Sequence, residues 1–352
     1  MRGFELHQPR SLDEAVELLA QHGTRARPLA GGTDLVAGMM RDQIIGPGLP
    51  YPAHLVDITG LPELSQIDVG ERGAVIGAAT TLAMIAESSE LRGTWPMLAA
   101  AAGDVASAEI RSIGTLGGNL NQRPRCWFFR NRDFDCAKKG GDICYAVKGD
   151  NRYNAILEGH LCYIVHPSDL GTALLALGAE AQVVSPRGER TITFDDYFIG
   201  PDQDLLRENV LAPDDLLTEV FVPTPTAGTR QAWQKVNEKG APTWDFALAS
   251  VAVAVVADDG VWRSGRVVLG GVAPIPYRAT VVEQALAGRD IRSALPEAVA
   301  GLRDLAKPMR HNGYKVDLVA YLLERVMGAA IDSQPAAAPA SSPGELNSAL
   351  PA

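Results

Sequence analysis

Two stretches decide the fold: Ala30-Gly31-Gly32-Thr33-Asp34-Leu35 and Ile113-Gly114-Thr115-Leu116-Gly117-Gly118-Asn119. The first ends a short run, Ala26 to Ala30, that reads as a strand. The second also follows an apolar stretch, and its three glycines within five residues argue against a helix there. Glycines let backbone amides approach a ligand closely, and successive amides form a nest for an anion. Thr33 adds a hydroxyl, and the charge of Asp34 is expected to point away from an anion or to bond to backbone. Neither loop has the Gly-x-Gly-x-x-Gly spacing of a dinucleotide fingerprint, and no Walker lysine motif occurs. Either loop alone also fits a plain tight turn. Two of them in one chain favour a ligand with two phosphates and a large body.

Outward from the first loop, Ser11 and Glu14 fit a capping box ahead of a helical stripe of Leu12, Val16, Leu19 and Ala20. Leu35 to Met40 can begin another helix, Gly46 to Pro52 is a turn-rich loop, and His54 to Ile58 reads as a strand. The pattern changes near Gly60. Val75 to Ala78 reads as a strand, and Leu82 to Glu87 and Trp95 to Val105 as helices. Ser168 or Asp169 can cap a helix running through Leu177, before strands at Ala181 to Val184, Thr191 to Phe194 and Leu217 to Val222. Pro223 to Gly228 has the composition of a linker. Beyond it come strands at Ala232 to Val236 and Ala247 to Ala257, with a hairpin turn at Asp258-Asp259-Gly260 into Val261 to Leu269. Helices follow near Thr280 to Ala287, Ala294 to Ala306 and Asp317 to Ala330. The expected fold is α+β. A two-part domain spans 1–223, with subdomains 1–59 and 60–223 and an insertion near 122–165. A small α+β domain follows at 229–331, then a disordered Pro/Ala/Ser-rich tail at 332–352.

The chain of 352 residues carries 32 basic and 42 acidic side chains, a net charge of −10. That balance argues against a nucleic-acid binder. The longest apolar run, Ala247 to Ala257, is too short to span a membrane, so no membrane insertion is expected. Met1-Arg2-Gly3-Phe4-Glu5 has no apolar core of a signal peptide. The expectation is a cytoplasmic protein, with export as the passenger of a signal-bearing partner as a second route. His7, His22, His54, His160, His166 and His311 show no metal-ligand spacing, no Gly-x-Ser-x-Gly elbow occurs, and no acid–base catalytic residue is expected.

The four cysteines are Cys126, Cys136, Cys144 and Cys162, spaced C-x9-C-x7-C-x17-C, and none lies elsewhere. In a reducing compartment such clustering points to metal or redox chemistry. Four thiolates are the usual complement of a [4Fe–4S] cluster, although the spacing is not that of ferredoxins. Zinc is the rival, but zinc sites usually contain close cysteine pairs and this window has none. From Arg123 to Arg152 there are eight basic and four acidic residues, a local balance of +4 that would suit an anionic cluster. The bland alternative is a solvated basic loop with incidental thiols.

The paired glycine motifs, in this order and separation, resemble the FAD-binding motifs of the medium subunit of xanthine dehydrogenase and carbon monoxide dehydrogenase relatives. His166-Pro167-Ser168-Asp169-Leu170 resembles that family's next flavin-contacting stretch, and Trp233 to Lys235 its strand beside the flavin ring. The resemblance implies a PCMH-type FAD domain followed by the family's small C-terminal domain. It implies that Arg27, Pro28, Leu29, Ala30, Gly31, Gly32, Thr33, Asp34 and Leu35 wrap the pyrophosphate and adenosine side. Gly114, Thr115, Gly118 and Asn119 would complete the cradle, Asp169 would bond ribityl or ribose hydroxyls, Leu217 would touch the ring and Lys235 would lie near it. Helix capping by Asp169 and a solvated Lys235 are the plain alternatives. The cysteine window resembles that of the periplasmic three-subunit aldehyde oxidoreductases, where four cysteines hold a [4Fe–4S] cluster. 4-Hydroxybenzoyl-CoA reductase has an analogous cluster with other spacing. The function so implied is electron transfer from the [2Fe–2S] clusters of a small subunit to FAD and on to an acceptor, with substrate oxidised at molybdopterin on a large subunit. The competing classes are a self-contained flavin oxidase or reductase and a zinc-stabilised nucleotide-binding scaffold.

Overall fold

The structure, a computed structural model, describes residues 1–240 and 245–337. Ser11 and Glu14 start the first helix as their spacing predicts. The Ser11 hydroxyl accepts from the Glu14 amide at 3.2 Å, and the Glu14 carboxylate accepts from the Arg10 amide at 2.7 Å. Such caps are worth about 1 kcal/mol. This helix, α1 (Leu12–His22), turns Ala15, Val16 and Leu19 inward over a parallel sheet. The sheet holds β1 (Glu5–His7), β2 (Ala26–Leu29) and β3 (His54–Asp57) in the spatial order β1-β3-β2. The glycine loop leaves β2 and enters a widened helical turn, Leu35–Met40, in which the Ala37 and Met39 amides donate to the carbonyls of Gly32 and Asp34.

The second unit is an antiparallel sheet of β4 (Ile67–Gly70), β5 (Gly73–Gly77), β6 (Glu180–Ser185), β7 (Gly188–Thr193) and β8 (Leu216–Pro223), ordered β4-β5-β8-β6-β7. Short helices lie between its strands: α2 (Leu82–Glu87), α3 (Ser89–Thr94), α4 (Pro96–Gly103), α5 (Ala108–Ile113), α6 (Leu116–Leu120), α7 (Asp169–Leu177) and α8 (Phe194–Tyr197). Trp95 is wholly buried among them, and its indole N–H donates to the Pro223 carbonyl at 2.9 Å. Truncating a buried Trp costs about 3–5 kcal/mol.

The presence of α6 corrects the expectation of a helix-free glycine loop. The Thr115 hydroxyl accepts from the Gly118 amide at 3.1 Å and starts the turn. A side chain at Gly117 would press on the Ala78 carbonyl at 3.0 Å. The glycines serve close packing, which outweighs their low helix propensity over one turn.

In the third unit β9 (Thr229–Val236), β10 (Ala249–Asp258), β11 (Val261–Gly270) and β12 (Tyr277–Arg278) form an antiparallel sheet ordered β12-β11-β10-β9. The hairpin turn falls where predicted, with Asp259 at φ 48° and Gly260 at φ 80°, as a primed turn requires. Strand β10 is apolar on both faces because both are covered. Ala252 and Ala254 join the core of the second unit, while Val251, Val253 and Val255 face α9 (Thr280–Leu286), α10 (Ile291–Leu305) and α11 (Tyr314–Asp332). Of the expected tail, the Ala336 amide still donates to the Thr229 carbonyl at 2.8 Å, and residues 338–352 lie outside the described part. Among the described residues no helix is long and apolar enough to cross a membrane.

Candidate flavin cradle and cysteine centre

The two glycine loops meet. A Cβ on Gly31 would sit 1.9 Å from the Ile113 carbonyl oxygen, so only glycine lets β2 end against the start of the second loop. Among the described residues, the amides of Gly31, Gly32, Thr33 and Asp34 donate to no protein acceptor. They open on a cavity of about 320 Å³, lined by all of Arg27, Pro28, Leu29, Ala30, Gly31, Gly32, Thr33, Asp34 and Leu35, and by Thr115, Gly118 and Leu217. Burial and the nearby charge of Arg123 both pull the Arg27 guanidinium below its ordinary value. Two cations that repel each other at a row of free amides make a place for an anion.

A second cavity, about 200 Å³, shares Thr33, Asp34, Thr115, Gly118 and Gln122 with the first. Gly114, Asn119, Asp169 and Lys235 line it, beside the apolar Leu82, Val105, Ile110 and Phe246. Leu217 and Lys235, both expected at one ring, therefore open on different cavities. Ser168, rather than Asp169, caps α7, accepting from the Gly171 amide at 2.8 Å, and its hydroxyl donates to Asn119 at 2.6 Å. Asp169 is thereby left for Lys235, whose ammonium donates to its carboxylate at 2.6 Å and to the Asp104 carbonyl at 3.0 Å. Both side chains are buried, so Lys235 is not a solvated lysine. Burial pushes the Asp169 carboxyl up and the Lys235 charge draws it back. Ala106 lines the same cavity at φ 46°, a conformation costly for a residue with a side chain and often kept at functional sites.

Asp34 is turned toward the protein. Its carboxylate accepts from the Arg123 amide at 2.8 Å, from Arg130 at 2.8 Å and from Arg125 at 2.9 Å. All three partners belong to the cysteine-bearing insertion. Sequence reading missed Gln122, Arg123, Arg125 and Arg207 as cavity residues; the basic count from Arg123 to Arg152 was a signal for Arg123 and Arg125, and nothing in the sequence marked Gln122 or Arg207.

The insertion is not a solvated loop. Lys138 and Lys139 are fully buried; Lys138 pairs with Glu208 at 2.9 Å and Lys139 donates to the Asn131 carbonyl at 2.9 Å. Ile156 and Leu157 enter the core of the third unit. Cys136 and Cys162 are buried and Cys126 and Cys144 partly so. Cys162 donates to Cys144, pulling that thiol down to about 6, while burial raises Cys126 and Cys136. Cys126 feels the charge of Cys144 and Cys136 that of Cys126, so the four thiols form one group. Among the described residues no three of these sulphurs lie within 4.8 Å of one another.

Residues 2–225 match the family described as the FAD binding domain in molybdopterin dehydrogenase, and residues 240–330 the CO dehydrogenase flavoprotein C-terminal domain. The chain is 33% identical over 290 residues to the FAD-binding subunit of an Escherichia coli aldehyde oxidoreductase, covering 81% of this chain and 86% of the relative. It is 29% identical over 334 residues to the carbon monoxide dehydrogenase medium chain of Hydrogenophaga pseudoflava, covering 93% and 96%. A solved carbon monoxide dehydrogenase from that organism superposes with a TM-score of 0.73 at 27% identity, covering 94% of this chain and 98% of that one.

Proposed function

The chain belongs to the family of FAD-binding domains of the molybdopterin dehydrogenases, and on that premise we propose that it is the flavin-carrying subunit of a molybdenum hydroxylase complex, an oxidoreductase. The observation that carries the reading is the pair of joined cavities, which together take in every residue expected at the flavin. In this reading the free amides of residues 31–34, with Arg27 and Arg123, hold the pyrophosphate. Leu29, Ile58 and Leu217 flank the adenosine in the larger cavity. The ring lies in the smaller one against Ile110 and Phe246, with Lys235 and Asp169 beside it. FAD supplies the redox chemistry when bound, and the chain binds, orients and screens it. The Lys235–Asp169 pair places an N–H donor at the ring site without adding net charge of its own.

Cys126, Cys136, Cys144 and Cys162 would hold an additional [4Fe–4S] cluster, as in the aldehyde oxidoreductase subset. Their number and the common environment of their thiols support this. The cluster would carry electrons or brace the insertion. Partners would be a molybdopterin-binding large subunit and a [2Fe–2S] small subunit. Exposed Trp127, Ile143, Val147 and Leu161 on the insertion are apolar surface suited to such a contact. Protein purified anaerobically should be yellow-brown, with one flavin and about four irons per chain. Flavin without iron would remove the cluster; zinc without flavin would remove the whole reading. Cys136→Ser should abolish the cluster's EPR signal after reduction.

A further inference from the structure

Three histidines with no shared spacing in the sequence meet at one end of the first sheet. His7 closes β1, His22 ends α1 and His54 opens β3. Strand register sets Glu5, His54 and Ala26 side by side at the entry end of the sheet, whereas the glycine loop leaves β2 at the other end. The cluster is therefore separate from the flavin cradle, three residues along β2, or about 10 Å at the rise of a strand. His7 Nε2 lies 3.2 Å from His54 Nδ1. The His22 and His54 rings stack with centroids 3.6 Å apart. One ring nitrogen from each histidine lies within 4.8 Å of the others. Glu5 Oε2 stands 3.3 Å from His54 Nδ1. His54 is buried, while His7 and His22 are half-buried and reachable from solvent.

We propose that His7, His22 and His54, with Glu5 as a fourth ligand, form a site for a single divalent transition-metal ion of the zinc type. Three imidazoles and a carboxylate match the donor preference of such ions. Tetrahedral bonds of about 2.0–2.1 Å to nitrogen set donors about 3.3 Å apart, a spacing the His7–His54 pair already holds, while the stacked His22 ring has to turn and the exposed Glu5 has to swing in to complete it. Glu5 offsets part of the metal's charge. The C-terminus of α1, where His22 sits, carries the negative end of the helix dipole and favours a cation. Without metal, Arg25 donates to His54 Nε2 at 3.3 Å, which leaves the His54 proton on Nδ1, facing His7. Metal at Nδ1 requires that proton to pass through solvent to Nε2, and Arg25, an exposed side chain, to turn outward. Arg25 is therefore a competitor for the site.

The test is a titration of the purified, flavin-loaded full chain with zinc chloride alone, followed by calorimetry and metal analysis. Zinc taken up by the thiols is common to all variants, so the difference between variants reports this site. Wild type should bind one more zinc than His22→Gln, or bind it about tenfold or more tightly. Arg25→Ala should bind it more tightly than wild type. Crystals soaked in zinc should show an anomalous peak between the three rings. Equal stoichiometry and affinity in wild type and His22→Gln, with circular dichroism unchanged, would overturn the site. Should His54→Gln fail to fold, His22→Gln and Arg25→Ala still decide, since both change side chains that reach solvent.

Discussion

At the scale of single residues, Gly31 and His166 make the sharpest statements. Gly31→Ala puts a methyl group into the Ile113 carbonyl and must push the two loops apart. Overpacking of this kind costs about 1–3 kcal/mol. Flavin content on purification should fall severalfold, and a variant that keeps its flavin would show that the loops are not the cradle. His166 is buried, its Nδ1 accepts from the Ser168 amide at 3.3 Å, and burial with the charges of Lys138 and Arg125 holds it down to about 3. The unfolded chain takes up that proton below about 6.5, whereas the folded chain resists until about 3. Stability from this residue is thus complete above the unfolded value and is lost as pH falls through the window, by up to about 1.4 kcal/mol per unit. Urea unfolding of wild type from pH 7 to 4 should steepen against His166→Gln; parallel curves would refute it. Legibility at this scale depends on whether a residue acts alone. Gly31, Thr33 and Gly118 announce themselves because glycine and a short hydroxyl have few other reasons to be there. Asp34 was readable as turned away from an anion, but not its three arginine partners, 89 to 96 positions away by hydrogen bond. The Lys235–Asp169 pair and the histidine trio were hidden for the same reason: only folding brings them together.

At the scale of elements, most helices and strands were legible from apolar period and caps, because α1, α7 and β10 bury the faces their patterns mark. Short elements went unread: β1, β4, β12, α3, α5 and α8 have too few residues to show a period, and α6 shows packing overriding propensity. The insertion was harder, having almost no regular structure to leave a period. It is held by buried side chains from distant elements. Lys315 of α11 donates to the carbonyls of Asn154 and Tyr153 at 3.2 Å each and of Gly271 at 2.6 Å, in complete burial. Lys315→Met keeps the stem but takes the Lys315 donor from the buried Gly271 carbonyl and the part-buried Tyr153 carbonyl, while the Asn154 carbonyl keeps Asn312 at 3.0 Å, at a cost of about 2 kcal/mol. The expected result is faster proteolysis within 122–165 at unchanged overall helicity. An unaltered digestion pattern would mean that the insertion is held elsewhere.

At the scale of the whole molecule, the two joined cavities draw on all three units: the first loop, the second loop with α7, and Lys235 of β9. A ligand held this way stabilises the assembly and not one part. Free FAD at a hundred times its dissociation constant should stabilise the chain by about 2.7 kcal/mol. A calorimetric scan should show a single transition moving upward; a split in which only one component responds would place the flavin within one unit. Asp34 gives this unity a further meaning. One carboxylate is a wall of both cavities and the anchor for three arginines flanking Cys126. Free energy spent in settling it from either side is shared, and such sharing is reciprocal. Whatever a group bound at the four thiols would do for flavin affinity, the flavin would do in equal measure for that group, so the two sites would fill cooperatively through one side chain, with neither required to fill first.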